Sequence, residues 1–324
     1  MDPQILKLRI EYLFGYKNID MNIDEITVLV GDNGTGKSTI LRIIHSLLTL
    51  NETESLRLCE YAELYLDGDV KVVYENFDKD DSRKVMEKIF VETINSTNDD
   101  IKRLDSEDIL KLMTRKLDNY KKHKKENKFR VYKNGIRANQ SKYIENIIDK
   151  INIEYISTVD LSANSRLNYT TMEGEGANML DSYIEMELNK LYLNGDSVKR
   201  TVFRRIMNTY LKDSAKRIRR TSSEIIIECK RAGNLTYKAL SSGERQLLYM
   251  MLKVVNSRGE NTIILMDEPE ISLHLNWQEN LIDSIKEINP KAQLIIVTHS
   301  PGIVMNGYRD SFRDMDDIEE GRSL

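Results

Sequence analysis

The segment GDNGTGKST at residues 31–39 constrains this chain more than any other feature. The apolar run ITVLV comes directly before it, and a helical pattern with Ile40, Leu41 and Ile44 follows it. A buried strand, a glycine-rich turn and a helix in this order are typical of a loop that holds phosphate groups with its backbone N–H groups. The sequence therefore predicts a nucleotide site, formed by Gly31, Asp32, Asn33, Gly34, Thr35, Gly36, Lys37, Ser38 and Thr39. The alternative, a glycine-rich turn without a ligand, does not account for this context.

Two residues at the end of this loop and two acids elsewhere in the chain are expected to act on the bound phosphates. Lys37 is expected in a solvent-open loop, where its charge meets the phosphates, and the Ser38 hydroxyl is a candidate Mg²⁺ ligand. The apolar run TIILM ends in Asp267 and Glu268. Asp267 is expected to help hold Mg²⁺, and Glu268 to polarise a water in line with the γ-phosphate. A nucleotide and Mg²⁺ are thus the predicted ligands.

A histidine follows a third apolar run. His299 ends LIIVTH, and in a parallel sheet it would lie beside the strand that carries the phosphate loop. It is a candidate for a hydrogen bond to the γ-phosphate or to the attacking water. A structural role is the alternative, because a single histidine has one more often than a catalytic role.

Composition indicates a soluble globular protein of 324 residues. Lys and Arg number 48 against 52 Asp and Glu, so the net charge of −4 excludes uniform attraction to DNA but not local basic patches. Cys59 and Cys229 are far apart, which favours neither a disulfide framework nor a structural zinc site. No apolar run approaches the roughly 20 residues that span a bilayer, so we expect a cytoplasmic protein without membrane contact.

The order of patterns predicts an α/β fold. Strands alternate with helices near both ends, which is typical of a central parallel sheet, and alternating runs near the N-terminus predict an additional antiparallel β layer. Residues 1–77 and 221–324 are expected to form the two halves of one head. Residues 78–220, charged and mainly helical in pattern, are expected to form a lid-like insertion.

Two basic stretches lie in this insertion. They are residues 115–130 and a predicted helix from Val198 to Ile218 that continues into Arg219 and Arg220. The first is expected to be a solvated helix face, with a surface for duplex DNA as the alternative. The second either pairs with acids elsewhere in the chain or meets DNA or an acidic partner protein. The acidic run DMDDIEEG near the C-terminus is expected to be disordered, or alternatively to dock a partner.

The segment LSSGERQ at residues 240–246 distinguishes among proteins with a phosphate loop. It stands before a helical pattern and is followed by DEPE at 267–270 and THSP at 298–301. In this order the motifs resemble the ATP-binding-cassette (ABC) class of ATPases, in which such a segment is the signature motif. DEPE with Leu273-His274, Trp277-Gln278 and THSP is similar to soluble ATPases related to the overcoming-lysogenization-defect nucleases, to RecF-type ATPases, and to phage-defence ATPases of the Septu, retron and PARIS kinds.

This resemblance implies a P-loop ABC-type ATPase head that dimerises head to tail around ATP, or forms a higher oligomer. Ser241, Ser242, Gly243 and Glu244 of one protomer would face the γ-phosphate in the other, although they equally fit a helix N-cap.

The resemblance further implies hydrolysis that gates an effector or nuclease chain in phage defence, since residues 300–324 are too few for a Toprim nuclease domain. A RecF-like ATPase that binds DNA, and a scaffold that binds ATP without hydrolysing it, are the alternatives.

Two elements of such a site are not located by the sequence. Phe14 or Tyr16 is a candidate to stack on adenine, or alternatively an ordinary core or edge aromatic residue. Residues 155–166, YISTVDLSANSR, occupy the place after a strand where the resemblance predicts a glutamine loop, but they contain no glutamine.

Overall fold

A computed structural model describes residues 4–76, 128–139, 150–157, 168–170, 176–193, 196–219 and 225–320. Its central element is a parallel sheet with the spatial order β16 (Phe312–Asp314), β3 (Ile26–Val30), β15 (Gln293–Thr298), β14 (Thr262–Asp267) and β8 (Asn152–Ser157). Every residue of β14 and β15 is buried, as expected for strands covered on both faces. The carboxyl ends of these strands share one edge of the sheet, which positions the loops that follow them.

An antiparallel sheet covers one side of the parallel sheet and confirms the predicted N-terminal β layer. Its spatial order is β17 (Glu319–Glu320), β2 (Lys17–Asn22), β1 (Ile5–Leu13), β4 (Tyr61–Leu66), β5 (Val70–Glu75), β6 (Phe129–Lys133) and β7 (Ile136–Ala138). Helix α1 (Lys37–Thr49) packs in the same apolar core as both sheets. Ile40 and Leu47 of α1 join Leu64 of β4 and Val297 of β15 there.

Helices form the second apolar core, on the other side of the parallel sheet. They are α2 (Met179–Leu193), α3 (Ser197–Leu211), α4 (Ser242–Asn256), α5 (Leu275–Glu279) and α6 (Leu281–Ile288). A small antiparallel sheet of β11 (Lys216–Arg219), β12 (Ile226–Cys229) and β13 (Gly233–Leu235) adjoins them, and β9 (Asn168–Thr170) pairs with β10 (Gly176–Asn178). These helices and this sheet position the segment that precedes α4.

The expected helical insertion at residues 78–220 contributes strands to both main sheets where it is described. β6 and β7 extend the antiparallel sheet, and β8 is an edge strand of the parallel sheet beside β14. The sequence NIEYIS of β8 has no continuous apolar run because an edge strand is only partly covered. Of the basic stretch at 115–130, the structure describes residues 128–130, and the two cations there, Lys128 and Arg130, pair with Glu52 and Glu75.

The prediction of one basic helix from Val198 to Ile218 is wrong beyond Leu211. Helix α3 ends at Leu211, and a turn with Ala215 at a left-handed φ of 54° leads into β11. In β11, Ile218 is buried while Arg217 and Arg219 are exposed, an alternation with the period of a strand. Several cations of this stretch pair within the chain: Arg205 with Glu287, Lys216 with Glu244, and Arg217 with Glu228.

The acidic C-terminal run forms structure, so the prediction of a disordered end is wrong. β16 pairs with β3 in the parallel sheet, and β17 pairs with β2 in the antiparallel sheet. Met315 and Ile318 are buried between the acids, and Glu319 forms an ion pair of 3.2 Å with Lys17. Burial of these two apolar side chains explains why the segment folds despite its charge.

Candidate nucleotide site

The phosphate loop joins β3 to α1 at the carboxyl edge of the parallel sheet. Gly34 and Gly36 have φ values of 80° and 101°, a region that strains any residue with a side chain. Gly36 is the N-cap of α1 and has no side chain that caps the helix. The N–H groups of the first helical turn are therefore available to an anion, which the helix dipole also favours.

Lys37 is buried, with an exposed fraction of 3%, which contradicts the expected solvent-open position. Its Nζ donates to the carbonyl oxygens of Gly31 and Asp32, both at 2.8 Å, and lies 3.5 Å from Nδ1 of His299. Burial lowers the pKa of Lys37, although nearby carboxylates, first among them Glu268, oppose this shift. The ammonium group is thus held inside the loop by backbone carbonyls.

Asp267 is fully buried at the end of β14 and binds two hydroxyl groups. Ser38 Oγ donates to its Oδ1 at 2.7 Å, and the hydroxyl of Tyr155 on β8 donates to its Oδ2 at 3.1 Å. Mg²⁺ prefers such oxygen donors and usually keeps waters and phosphate oxygens as its other ligands. The described residues contain no cluster of three or more His, Cys, Asp or Glu side chains that could hold a metal. Ser38 and Asp267 are the residues here that could contribute ligands to Mg²⁺.

Glu268 and His299 contact each other where β14 and β15 end. The Oε1 of Glu268 lies 3.0 Å from Nε2 of His299, whose Nδ1 faces Lys37. Glu268 has a left-handed φ of 50°, and its N–H donates to the carbonyl of Val297 at 2.9 Å. A non-glycine residue in this region costs of order 1 kcal/mol, so the backbone bond helps to hold the carboxylate at this position.

Sequence reasoning gave no role to Glu270. Its Oε1 accepts the N–H groups of His299 at 2.7 Å and of Ser300 at 3.2 Å. Gln278 supports the same loop, because its Oε1 accepts the Ser300 hydroxyl at 2.6 Å. The second glutamate of DEPE and the glutamine of WQ therefore position the backbone that carries His299. These motif residues can be recognised in the sequence. Their role depends on hydrogen bonds between the segment after β14 and the segment after β15, which only the structure shows.

The segment before α4 has the N-cap geometry that the sequence predicted as one alternative. The N–H of Ser241 donates to Oε2 of Glu244 at 2.7 Å, and the N–H of Glu244 donates to Oγ of Ser241 at 3.3 Å. Ser242 begins the helix. A Cβ atom at Gly243 would lie 2.3 Å from the carbonyl oxygen of Ser272, so only glycine fits there. Within the described residues, no hydrogen bond joins this segment to the phosphate loop.

The two aromatic candidates for adenine differ in their placement. A Cβ atom at Gly36 would lie 2.9 Å from the ring of Phe14, so this ring covers the end of the phosphate loop. Phe14 has a left-handed φ of 57° and follows β1. Tyr16 is 67% exposed. The sequence favoured neither of the two residues, and this position beside Gly36 makes Phe14 the better candidate for contact with a base.

We expect the variant Tyr155→Phe to require more Mg²⁺ for nucleotide binding. It removes the donor to Asp267 Oδ2 but keeps the ring, so the carboxylate loses one of its positioning bonds. The Mg²⁺ concentration for half-maximal binding should rise about 10-fold, in the range of losses for the outer partners of metal ligands. Titration with a fluorescent ATP analogue at varied Mg²⁺ measures this. Tyr132→Phe, on the antiparallel sheet, is the control, and an unchanged Mg²⁺ requirement in Tyr155→Phe would contradict the assignment.

A parallel sheet whose carboxyl edge carries a phosphate loop, an acid pair and a histidine, beside an antiparallel layer, defines the ABC-type ATPase fold. Solved structures agree with this class. The SMC head bound to the C-winged helix domain of ScpA is 15% identical, with a TM-score of 0.57 over 93% of this chain and 92% of that one. The SMC head domain from Thermotoga maritima is 15% identical, with a TM-score of 0.52 over 96% and 94%. At this identity the likeness concerns the fold alone.

Residues 26–306 match the family model described as "AAA domain, putative AbiEii toxin, Type IV TA system", and the chain belongs to this family. Septu protein PtuA of Bacillus thuringiensis is 36% identical over 85 residues, which cover 22% of each chain. The retron Ec83 probable ATPase of Escherichia coli is 28% identical over 98 residues, 27% of this chain and 18% of that protein. The chain thus spans about a fifth of the length of these curated relatives. Among the described residues, no helix has the length and apolarity that crossing a membrane requires.

Proposed function

We propose that this chain binds ATP with Mg²⁺ and hydrolyses it between two copies of itself. The observation that carries the proposal is the convergence of five side chains at one sheet edge. Lys37 and Ser38 begin α1, Asp267 and Glu268 end β14, and His299 follows β15, with direct contacts from Lys37 to His299 and from His299 to Glu268. This arrangement places a cation, a metal ligand and a base together beside an anion-binding helix end.

The groups of the site then have distinct tasks. Lys37 exchanges backbone carbonyls for phosphate oxygens, and the free N–H groups of the loop bind the same phosphates. Glu268 orients the attacking water and accepts its hydrogen bond, while His299 holds Glu268 in place. Ser38 and Asp267 would hold Mg²⁺, which when bound neutralises charge on the β- and γ-phosphates. Glu270 keeps the His299 backbone fixed throughout.

The second copy would supply the signature segment. Ser241 lies at the start of α4, where the helix dipole and the first N–H groups favour an anion. Glu244 is buried and bonded to Ser241, so the cap is already formed in the single chain. We propose that Ser241, Ser242 and Gly243 meet the γ-phosphate bound by the partner protomer, in a head-to-tail dimer or a higher oligomer.

The biological role that we propose is phage defence through a partner effector or nuclease chain. This proposal is supported by the curated relatives. One is named a Septu protein, and two are named probable ATPases of retrons. Direct DNA binding by the basic stretch has less support, because Lys216 is held in a buried ion pair with Glu244 of the same chain. Hydrolysis would then gate the partner's activity.

Mixing two inactive variants tests the composite site. Lys37→Ala removes the phosphate contact and Ser241→Arg blocks the signature, so each variant alone should have no turnover. A mixed dimer has one intact composite site, and we expect ATP turnover of about a quarter of the parent value at equal ratios, from random pairing, if each site acts independently. Phosphate release measures it.

The matched control is Ser197→Arg, which changes an exposed serine at the first position of α3. Turnover by Ser241→Arg alone, or no recovery in mixtures whose subunits demonstrably exchange, would be evidence for a site within one chain. Absence of turnover in the parent chain, with ATP bound, would support the non-hydrolysing scaffold instead.

A further inference from the structure

A cavity of about 670 Å³ lies between the end of α3 and the small sheet of β11, β12 and β13. Four cations line it, Lys212, Lys216, Arg217 and Lys230, against one carboxylate, Glu228. The whole chain has a net charge of −4, so this cavity concentrates positive charge in a slightly acidic protein. No large apolar side chain is among the described residues that line it.

The cations of this cavity are only partly neutralised. Lys212 and Lys230 are exposed and have no ion pair among the described residues. Arg217 pairs with Glu228 at 2.6 Å, but its side chain is 71% exposed, and such a pair is weak in water. Cys229 also lines the cavity, and the backbone N–H groups of Arg231 and Ala232 lower the pKa of its thiol by bonding to the sulfur. The wall around Cys229 therefore favours negative charge.

We propose that this cavity binds a small molecule that bears several phosphate groups, at a site separate from the phosphate loop. Its volume falls within the roughly 300–1,000 Å³ of small-molecule sites. Cations and N–H groups are the ligands that phosphate requires. An acidic peptide is the less suitable occupant, because peptide interfaces need apolar or aromatic anchors and this lining offers none for them among its described residues.

The cavity is connected to the signature segment through one buried ion pair. Lys216 Nζ lies 2.7 Å from Oε2 of Glu244, and their side chains are only 17% and 4% exposed. The same Oε2 accepts the N–H of Ser241. An anion in the cavity competes with Glu244 for Lys216. Occupancy of the cavity thus loosens the cap of α4, which makes the site a regulator of the segment that the partner protomer would use.

Alkylation of Cys229 gives a local readout of this site. Cys59 is buried, with 2% exposure, so Cys229 is the reactive thiol of the two in the chain. Tripolyphosphate at saturation should slow the reaction of Cys229 with iodoacetamide about 10-fold, by covering the thiolate. The experiment uses the full chain, as the parent and as Lys37→Ala, so that occupancy of the phosphate loop does not produce the effect.

Paired variants assign the effect to the cavity. Lys212→Gln with Lys230→Gln should abolish the protection, whereas Lys133→Gln with Lys238→Gln, two exposed lysines outside the cavity, should keep it. Equal loss in both pairs, no protection in the parent, or protection by hexaglutamate but not by tripolyphosphate would each overturn the proposal. None of these results depends on ATP turnover, so the proposed hydrolysis and this site are tested separately.

Amide hydrogen exchange tests the connection to Ser241. In Lys37→Ala, tripolyphosphate should speed exchange in the peptide 240–246 about threefold or more, since the cap bond to Glu244 weakens. The Lys212→Gln, Lys230→Gln pair in the same background should show no change. If Cys229 were protected but exchange at 240–246 did not change, the proposed connection to Ser241 would be wrong, and the proposed anion site would still be supported.

Discussion

The variant Glu268→Gln is expected to slow ATP hydrolysis by roughly 10²–10⁴-fold, the usual contribution of a general base, while ATP binding survives. Glutamine has the same shape and can still contact His299, but it cannot accept a proton from water. Lys37, Ser38 and Asp267 are untouched, so the nucleotide still has its phosphate and Mg²⁺ contacts. Because hydrolysis no longer separates the protomers, an ATP-bound dimer should accumulate. Single-turnover assays and light scattering with ATP measure both effects.

Glu260→Gln is the matched control for this variant. Glu260 precedes the other end of β14, where it forms an exposed ion pair with Lys291. Its replacement should leave turnover and the dimer unchanged. If Glu268→Gln hydrolysed ATP at the parent rate, the water-polarising role would belong to another residue, and His299 would be the next candidate. If ATP binding were lost as well, the negative charge of Glu268, and not only its contact with His299, would be needed for the nucleotide site.

The elements that the sequence predicted well share strong local patterns. β3, β14 and β15 are largely apolar runs, as parallel strands buried on both faces require. Gly31 follows β3, Asp267 ends β14 and His299 follows β15. The sequence placed Gly34 and Gly36 in the loop because a phosphate loop needs backbone conformations that only glycine adopts without strain. The capping box of Ser241 and Glu244 was equally local. A buried strand, a phosphate loop or a helix cap depends on the residues of one short segment, so the residue types of that segment are enough to predict it.

Features that depend on distant segments were not predictable in the same way. Tyr155 lies on an edge strand and contacts Asp267 only because β8 pairs in register with β14. Glu270 binds the backbone that follows β15, a contact across two strands. β11 and β16 have only four and three residues, so their alternation could not be recognised before the structure showed which side chains are buried, and their polar residues resemble a helix face or a loose tail. The division of the chain into 1–77, 78–220 and 221–324 stays a prediction.

Replacing Lys37 should reduce ATP affinity by at least about 10–100-fold, since hydrogen bonds to charged groups contribute roughly 1.5–3 kcal/mol each. Lys37→Met is the sharpest variant because it keeps the buried stem and removes only the ammonium. Burial lowers the pKa of Lys37, so the free fold holds this charge at a cost. We therefore expect Lys37→Met to melt no lower than the parent without ATP, while calorimetry detects little ATP binding. Unchanged affinity would contradict the phosphate role.

The pH dependence of the parent protein should separate these two effects of Lys37. Between the lowered pKa of Lys37 in the fold and its ordinary value of 10.5, the unfolded chain binds more protons than the folded one. In this window the stability of the free protein therefore rises with pH through this group, because the buried charge is lost. ATP affinity falls over the same window, because the neutral amine no longer attracts phosphate. Lys37→Met has no titrating group at this position. Subtracting its pH profiles of stability and of ATP affinity from those of the parent therefore gives the contribution of Lys37 to each slope. Slopes of the same sign would show that Lys37 does not exchange its carbonyl partners for phosphate.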